Sequence, residues 1–155
     1  MMLNLITDRT AQDVSRWREL HAKGYAAMTS AERAEWATSK GAYNHTDLNR
    51  VENAVAYIAD LLTSLGYGVE IAGTKTWTAY DVPTVSDMNR FLSNVRLIRG
   101  AFSVMRTTPA VPSTMQRLTH VSANNIERIL QDVEILANNM IAAFTYAGDI
   151  YGGEI

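Results

Sequence analysis

A chain of 155 residues fits one domain, residues 1–155, and is long enough to bury a substantial core. Its apolar share of 47% and charged share of 19% are those of a folded protein, and a net charge of −2 with dispersed basic residues argues against nucleic acid as a partner. The absence of cysteine excludes disulfides, thiolate metal sites and cysteine nucleophiles.

The opening Met1–Arg9 lacks a basic segment followed by an apolar run, so no signal peptide is expected and synthesis is expected to be cytoplasmic. No stretch approaches the ~18 apolar residues that membrane insertion requires. Residues 1–41 read as two short helices. Thr10 caps the first, with Asp13 three positions on, and Thr29 to Glu32 forms a capping box for the second. Residues 42–145 read as a core of three long helices. The first, capped by Asn44, carries Leu48, Val51, Val55, Ile58, Leu62 and Leu65 at three- and four-residue steps and stops at Gly66.

The helical period is then lost. Val69 to Ile71 and Thr74 to Tyr80 are β-prone around Ala72-Gly73, which predicts a small β-hairpin over about 67–82. Thr84 caps the next helix, with Met88, Phe91, Leu92, Val95, Ile98 and Phe102 on its apolar side. After a loop with Pro109 and Pro112, Thr119 caps the last, whose stripe runs from Ile126 through Leu130 and Val133 to Phe144. Residues 146–155 are glycine-rich and read as an irregular tail. The expected fold is mainly α: a bundle of three long helices, two short N-terminal helices and a hairpin insertion, with short connections favouring antiparallel neighbours.

The three long helices repeat one another. Asn44 to Val51, Thr84 to Phe91 and Thr119 to Ile126 each have a cap, a short polar residue three positions later, an asparagine at the sixth position and an apolar residue at the eighth. Asparagine is a poor helix-interior residue because its amide competes for backbone bonds. Asn49, Asn89 and Asn124 are therefore expected to act as structural clamps on an incoming loop or neighbouring helix.

Reactive constellations are missing from the pattern. His21, His45 and His120 lie in no recognised nucleophile context, and Gly66-Tyr67-Gly68 lacks the glycine and lysine of a phosphate loop. His45 and His120 share a repeat position, but without an i,i+4 pair they predict no metal site. Glu52 and Glu127 also share a position and read as solvated. The sequence thus predicts no enzyme, no catalytic residue and no cofactor. Trp36, Trp77, Tyr80 and Tyr151 are candidates for contact with a partner or a surface glycan, since large amphipathic rings dominate interfaces.

Asp47-Leu48-Asn49-Arg50-Val51-Glu52 resembles the D-L-N-R-[IV]-E helix start of tail-fibre and minor structural proteins of phages and prophages of Gram-positive bacteria. Thr7 to Thr10, Lys40 to Asn44, Thr76-Trp77, Ala123 to Glu127 and Tyr146 to Glu154 are similar to the same family, so the resemblance spans nearly the whole chain. The third copy departs from it with Ser122-Ala123-Asn124-Asn125. The resemblance implies a virion structural module, made in the host cytoplasm and built into a particle. Its implied partners are other tail or baseplate proteins or further copies of itself, and it carries over no catalytic residue. The alternative is a carbohydrate- or host-surface-binding module at a tail tip.

Overall fold

The computed structural model describes the backbone of residues 3–153 and the side chains of residues 3–144. The fold is mainly helical: α1 (Ala11–Lys23), α2 (Ser30–Thr38), α3 (His45–Ser64), α4 (Val85–Gly100) and α5 (His120–Gly153), with a single 3-10 turn at Tyr25–Ala27. Local chemistry sets the starts. Thr10, Thr29, Asn44 and Thr84 each accept an amide from their own first turn, while an Asp or Glu three positions on returns the bond to the cap. Thr119 Oγ accepts the Ser122 amide at 3.1 Å. At the far end of α3, Gly66 takes φ +89°, and the amides of Gly66 and Tyr67 bond back to Thr63 and Leu62 at 3.0 and 2.9 Å, the Schellman closure that a side chain at Gly66 would disfavour. The last helix does not stop near residue 145: α5 runs on to Gly153, so the expected irregular tail is helical over most of its length.

Helices α3, α4 and α5 pack pairwise around one core, and their apolar stripes meet in layers that follow the sequence repeat. Val51, Phe91 and Ile126 form one layer, Val55, Val95 and Leu130 the next, and Ile58, Ile98 and Val133 a third, all fully or almost fully buried. Their direction differs from expectation. Arg50 in the second turn of α3 bonds Glu127 in the second turn of α5, and Arg90 in the second turn of α4 bonds Glu52 of α3. At the other end Tyr67, just past α3, packs on Phe102, just past α4, with ring centroids 5.3 Å apart. All starts lie together, so the neighbours are parallel, and each connection must travel back along the bundle.

That return journey explains the missing hairpin. Among the described residues there is no strand. Residues 67–82 form a strap without regular secondary structure that turns near Gly73 and again between Thr78 and Asp81, with Tyr67, Val69 and Ile71 packed on the core and Gly68, Glu70 and Ala72 outside. The expected hairpin is absent because side chains of the flanking helices, Asn49 and Asn94, take the N–H and C=O groups of Trp77 and Ala72 that a second strand would otherwise satisfy. Residues 101–118 make a second such strap between α4 and α5, and residues 3–9 a third along α5 and α3. A unit of strap followed by helix therefore occurs three times around the bundle. The α1–α2 pair is inserted into the first unit.

The pair is held by rings and by one close approach. Trp17 stacks on His21 at 4.8 Å and on Trp36 at 5.4 Å. Gly41 passes so near α1 that a Cβ there would stand 2.1 Å from the Asp13 carbonyl oxygen and 2.7 Å from Trp17 Cβ. Gly41→Ala is expected to cost about 2 kcal/mol through this overpacking. The loss should appear as a lowered thermal midpoint together with weakened protection of α1 amides from hydrogen exchange.

Candidate functional site

The polar residues with the most chemistry lie where straps meet helices. The Asn49 amide brackets one residue of the strap: its Oδ1 accepts the Trp77 amide at 2.7 Å and its Nδ2 donates to the Trp77 carbonyl at 2.9 Å. Asn124 repeats this on Arg9, at 3.0 and 2.9 Å. A carboxamide offers one acceptor and one donor in the spacing of an extended residue, so it substitutes for a neighbouring strand. Asn89, the third of the set, is exposed and has no hydrogen-bond partner among the described residues. It holds no strap. A different residue of α4, Asn94, takes the Ala72 amide at 2.9 Å and donates to the Ala72 and Gly73 carbonyls, both at 3.2 Å. Asn94 falls outside the repeat, and its only signal in the sequence is an asparagine set within the apolar stripe of α4.

Beside the clamps lies a buried charge network. Arg9, Asp47 and Glu127 are buried, with Glu127 0% exposed. Arg9 Nη2 donates to Asp47 at 2.9 Å and to Glu127 at 2.7 Å, and Arg50 donates to both oxygens of Glu127 at 2.8 Å and also to Asp47. Glu127 accepts the Ile6 amide at 2.7 Å as well, and the Arg9 guanidinium sits 5.5 Å from the centre of the Tyr43 ring. Burial opposes the charge on Arg50, yet Glu127 and then Asp47 outweigh it and hold the guanidinium above its ordinary value. Burial, followed by the negative charge of Glu127 and Asp47, pushes the Tyr43 phenol well above its usual range. Two cations and two anions make the cluster neutral, the condition under which charges survive inside a protein.

The two glutamates are therefore not solvated, as the sequence suggested. Glu52 is 2% exposed, takes both Nη atoms of Arg90, and accepts the Trp77 indole N–H at 3.3 Å. The pairing is cyclic. Arg of the first copy meets Glu of the third, and Arg of the second meets Glu of the first. At the matching positions of the remaining interface the third copy has Asn125 and the second has Leu92, neither of them charged.

The structure separates the expected contact residues. Trp77 is only 2% exposed, with the Lys75 ammonium 4.1 Å from its ring centre, so it packs on the bundle and cannot meet a glycan or a partner. Trp36 is half-buried in its stack, Tyr80 is 96% exposed, and the side chain of Tyr151 lies outside the described residues. His45 and His120 do not join a ligand set: among the described residues no group of three His, Asp or Glu is placed to hold a metal. No helix among them is long and apolar enough to cross a membrane.

No protein-family model, curated protein or solved structure matches this chain. One cavity, about 650 Å³, lies between α1 and the start of α5 and is lined by Arg18, Lys40, Gly41, Arg117 and His120 among others. Another, about 370 Å³, opens beside Asn89 and is lined by Leu48, Met88, Met115 and Leu118. Of the arginines on α4, Arg90 is committed to Glu52, Arg96 donates to the Pro112 carbonyl at 3.1 Å, and Arg99 donates to the Pro109 carbonyl at 2.8 Å. These cations hold straps in place.

Proposed function

We propose that this chain is a non-catalytic structural or adaptor module of a phage or prophage tail or baseplate, a bundle of three long helices that works through contact with other tail proteins or with copies of itself. The observation that carries the reading is the use made of the reactive side chains. Asn49, Asn94 and Asn124 hold main-chain N–H and C=O groups, and the arginines and carboxylates neutralise one another or bond straps, an arrangement that fixes one shape. The resemblance of Asp47 to Glu52 and Ala123 to Glu127 to phage structural proteins supplies the setting. The glycan-binding alternative loses support with the burial of Trp77.

Mass spectrometry of density-purified particles released by the host tests the proposal. The chain is expected at a copy number comparable to known tail components and should remain through repeated purification. Its absence from the particles, with abundant free chain in the lysate, overturns the assignment.

A further inference from the structure

The threefold recurrence of strap and helix makes the Asn89 station directly comparable with two filled ones. Asn49, Asn89 and Asn124 are each the fifth residue of their helix. At two stations the amide brackets the N–H and C=O of one residue of a passing strap. Further along α5, Glu134 accepts the Leu3 amide at 2.9 Å, and the matching position of α4 is Arg99, which donates to Pro109. Proline has no N–H, so a donor on the helix replaces an acceptor.

Arg9 lies six residues beyond Leu3, and six beyond Pro109 lies Met115, the residue that would stand at Asn89. It does not reach. The strap leaves its course in the turn around Ser113 to Arg117, where Arg117 adopts φ +51°, a left-handed conformation rare for a non-glycine residue. The cavity of about 370 Å³ opens between the diverted turn and the start of α4. Its lining carries no charged residue, in contrast with the Asn124 station, where Glu127 stands in the place of Leu92. Val85, which is 66% exposed, and Pro83 add apolar surface to its lining.

We propose that the groove beside Asn89 docks an extended, uncharged, apolar segment of a partner protein, with the Asn89 amide bracketing the N–H and C=O of one of its residues. The occupant's backbone is specified by the two filled stations, and its side-chain character by the neutral lining. A carboxamide that reads only main-chain N–H and C=O leaves sequence choice to the pocket made by Met88, Met115 and Leu118. This deepens the adaptor reading by naming the kind of segment it would hold.

The test uses the full chain and a displayed library of random short peptides, selected on wild type and counter-selected on Asn89→Ala. Synthetic copies of the selected peptides are then titrated against both proteins, with the Asn89 side-chain NH2 resonance followed by NMR. The expected result is uncharged apolar peptides that shift that resonance and bind Asn89→Ala at least about tenfold more weakly, a loss in keeping with two hydrogen bonds. Asn89→Ala should keep the wild-type melting temperature, so the loss is not one of folding. Failure to recover such peptides, equal binding to Asn89→Ala, or selection of charged sequences overturns the proposal. So does wild-type self-association abolished by Asn89→Ala, which assigns the groove to a second copy. The outcome is independent of particle incorporation: a chain present in particles with no Asn89-dependent binding retains the adaptor role and loses this groove, and the reverse result does the opposite.

Discussion

Glu127→Ala is expected to lower stability by about 3–5 kcal/mol, the usual consequence of removing one partner from a buried ion pair. The carboxylate is fully buried and answers two guanidiniums and the Ile6 amide. Without it, Arg9 and Arg50 share Asp47 alone and the network carries one uncompensated positive charge, part of it in the interior. The extended segment 3–9 loses its central attachment at the same time. Glu127→Gln should fall between wild type and alanine, because a carboxamide oxygen can still accept one N–H while the charge is gone. Urea unfolding followed by circular dichroism measures both variants. An alanine variant within about 0.5 kcal/mol of wild type would place it with ordinary surface substitutions and refute the structural role assigned to the network.

The second large effect separates the three repeat asparagines. Asn49→Ala and Asn124→Ala should each destabilise by about 2–3 kcal/mol, since each removes two hydrogen bonds and leaves a shielded peptide N–H and C=O unmet. Asn89→Ala should change stability by less than about 0.5 kcal/mol, as for an exposed helix residue. Hydrogen exchange gives a local reading: the Trp77 amide should lose protection in Asn49→Ala and the Arg9 amide in Asn124→Ala, each without the other. Equal effects from all three variants would contradict the division into filled and open stations. So would exchange changes spread evenly over the chain.

The comparison of these stations also shows where sequence reasoning reaches and where it stops. Caps, stripes and the register of the repeat are local properties. They depend on side chains a few positions apart on one helix, and the 3.6-residue period displays them without any knowledge of neighbours. Thus Asn44, Thr84 and Thr119 can be read as helix starts, and the aligned positions Val51, Phe91 and Ile126 can be read as one layer. The asparagines could be recognised as residues with work outside their own helix.

The order of the helices is a different kind of property. Whether α3 and α4 run parallel depends on where the intervening chain travels, and an apolar stripe serves either direction equally well. Glu52 and Glu127 looked like solvent-facing carboxylates because their partners, Arg90 and the pair Arg9 and Arg50, arrive from other parts of the chain. The fate of residues 67–82 was decided in the same way: alternation in the sequence suggested a hairpin, and only the groove between two parallel helices determined that amide side chains would hold the strap. Trp77, suited by composition to an interface, is buried because Asn49 and Glu52 fix its peptide and its indole from the neighbouring helix. Helix starts, caps and the repeat are written in the residues of each helix, whereas the extent of α5 is not. Tertiary structure alone decided which polar residues were buried and which asparagine was left facing an open groove, because burial and pairing are relations between segments that only folding brings together.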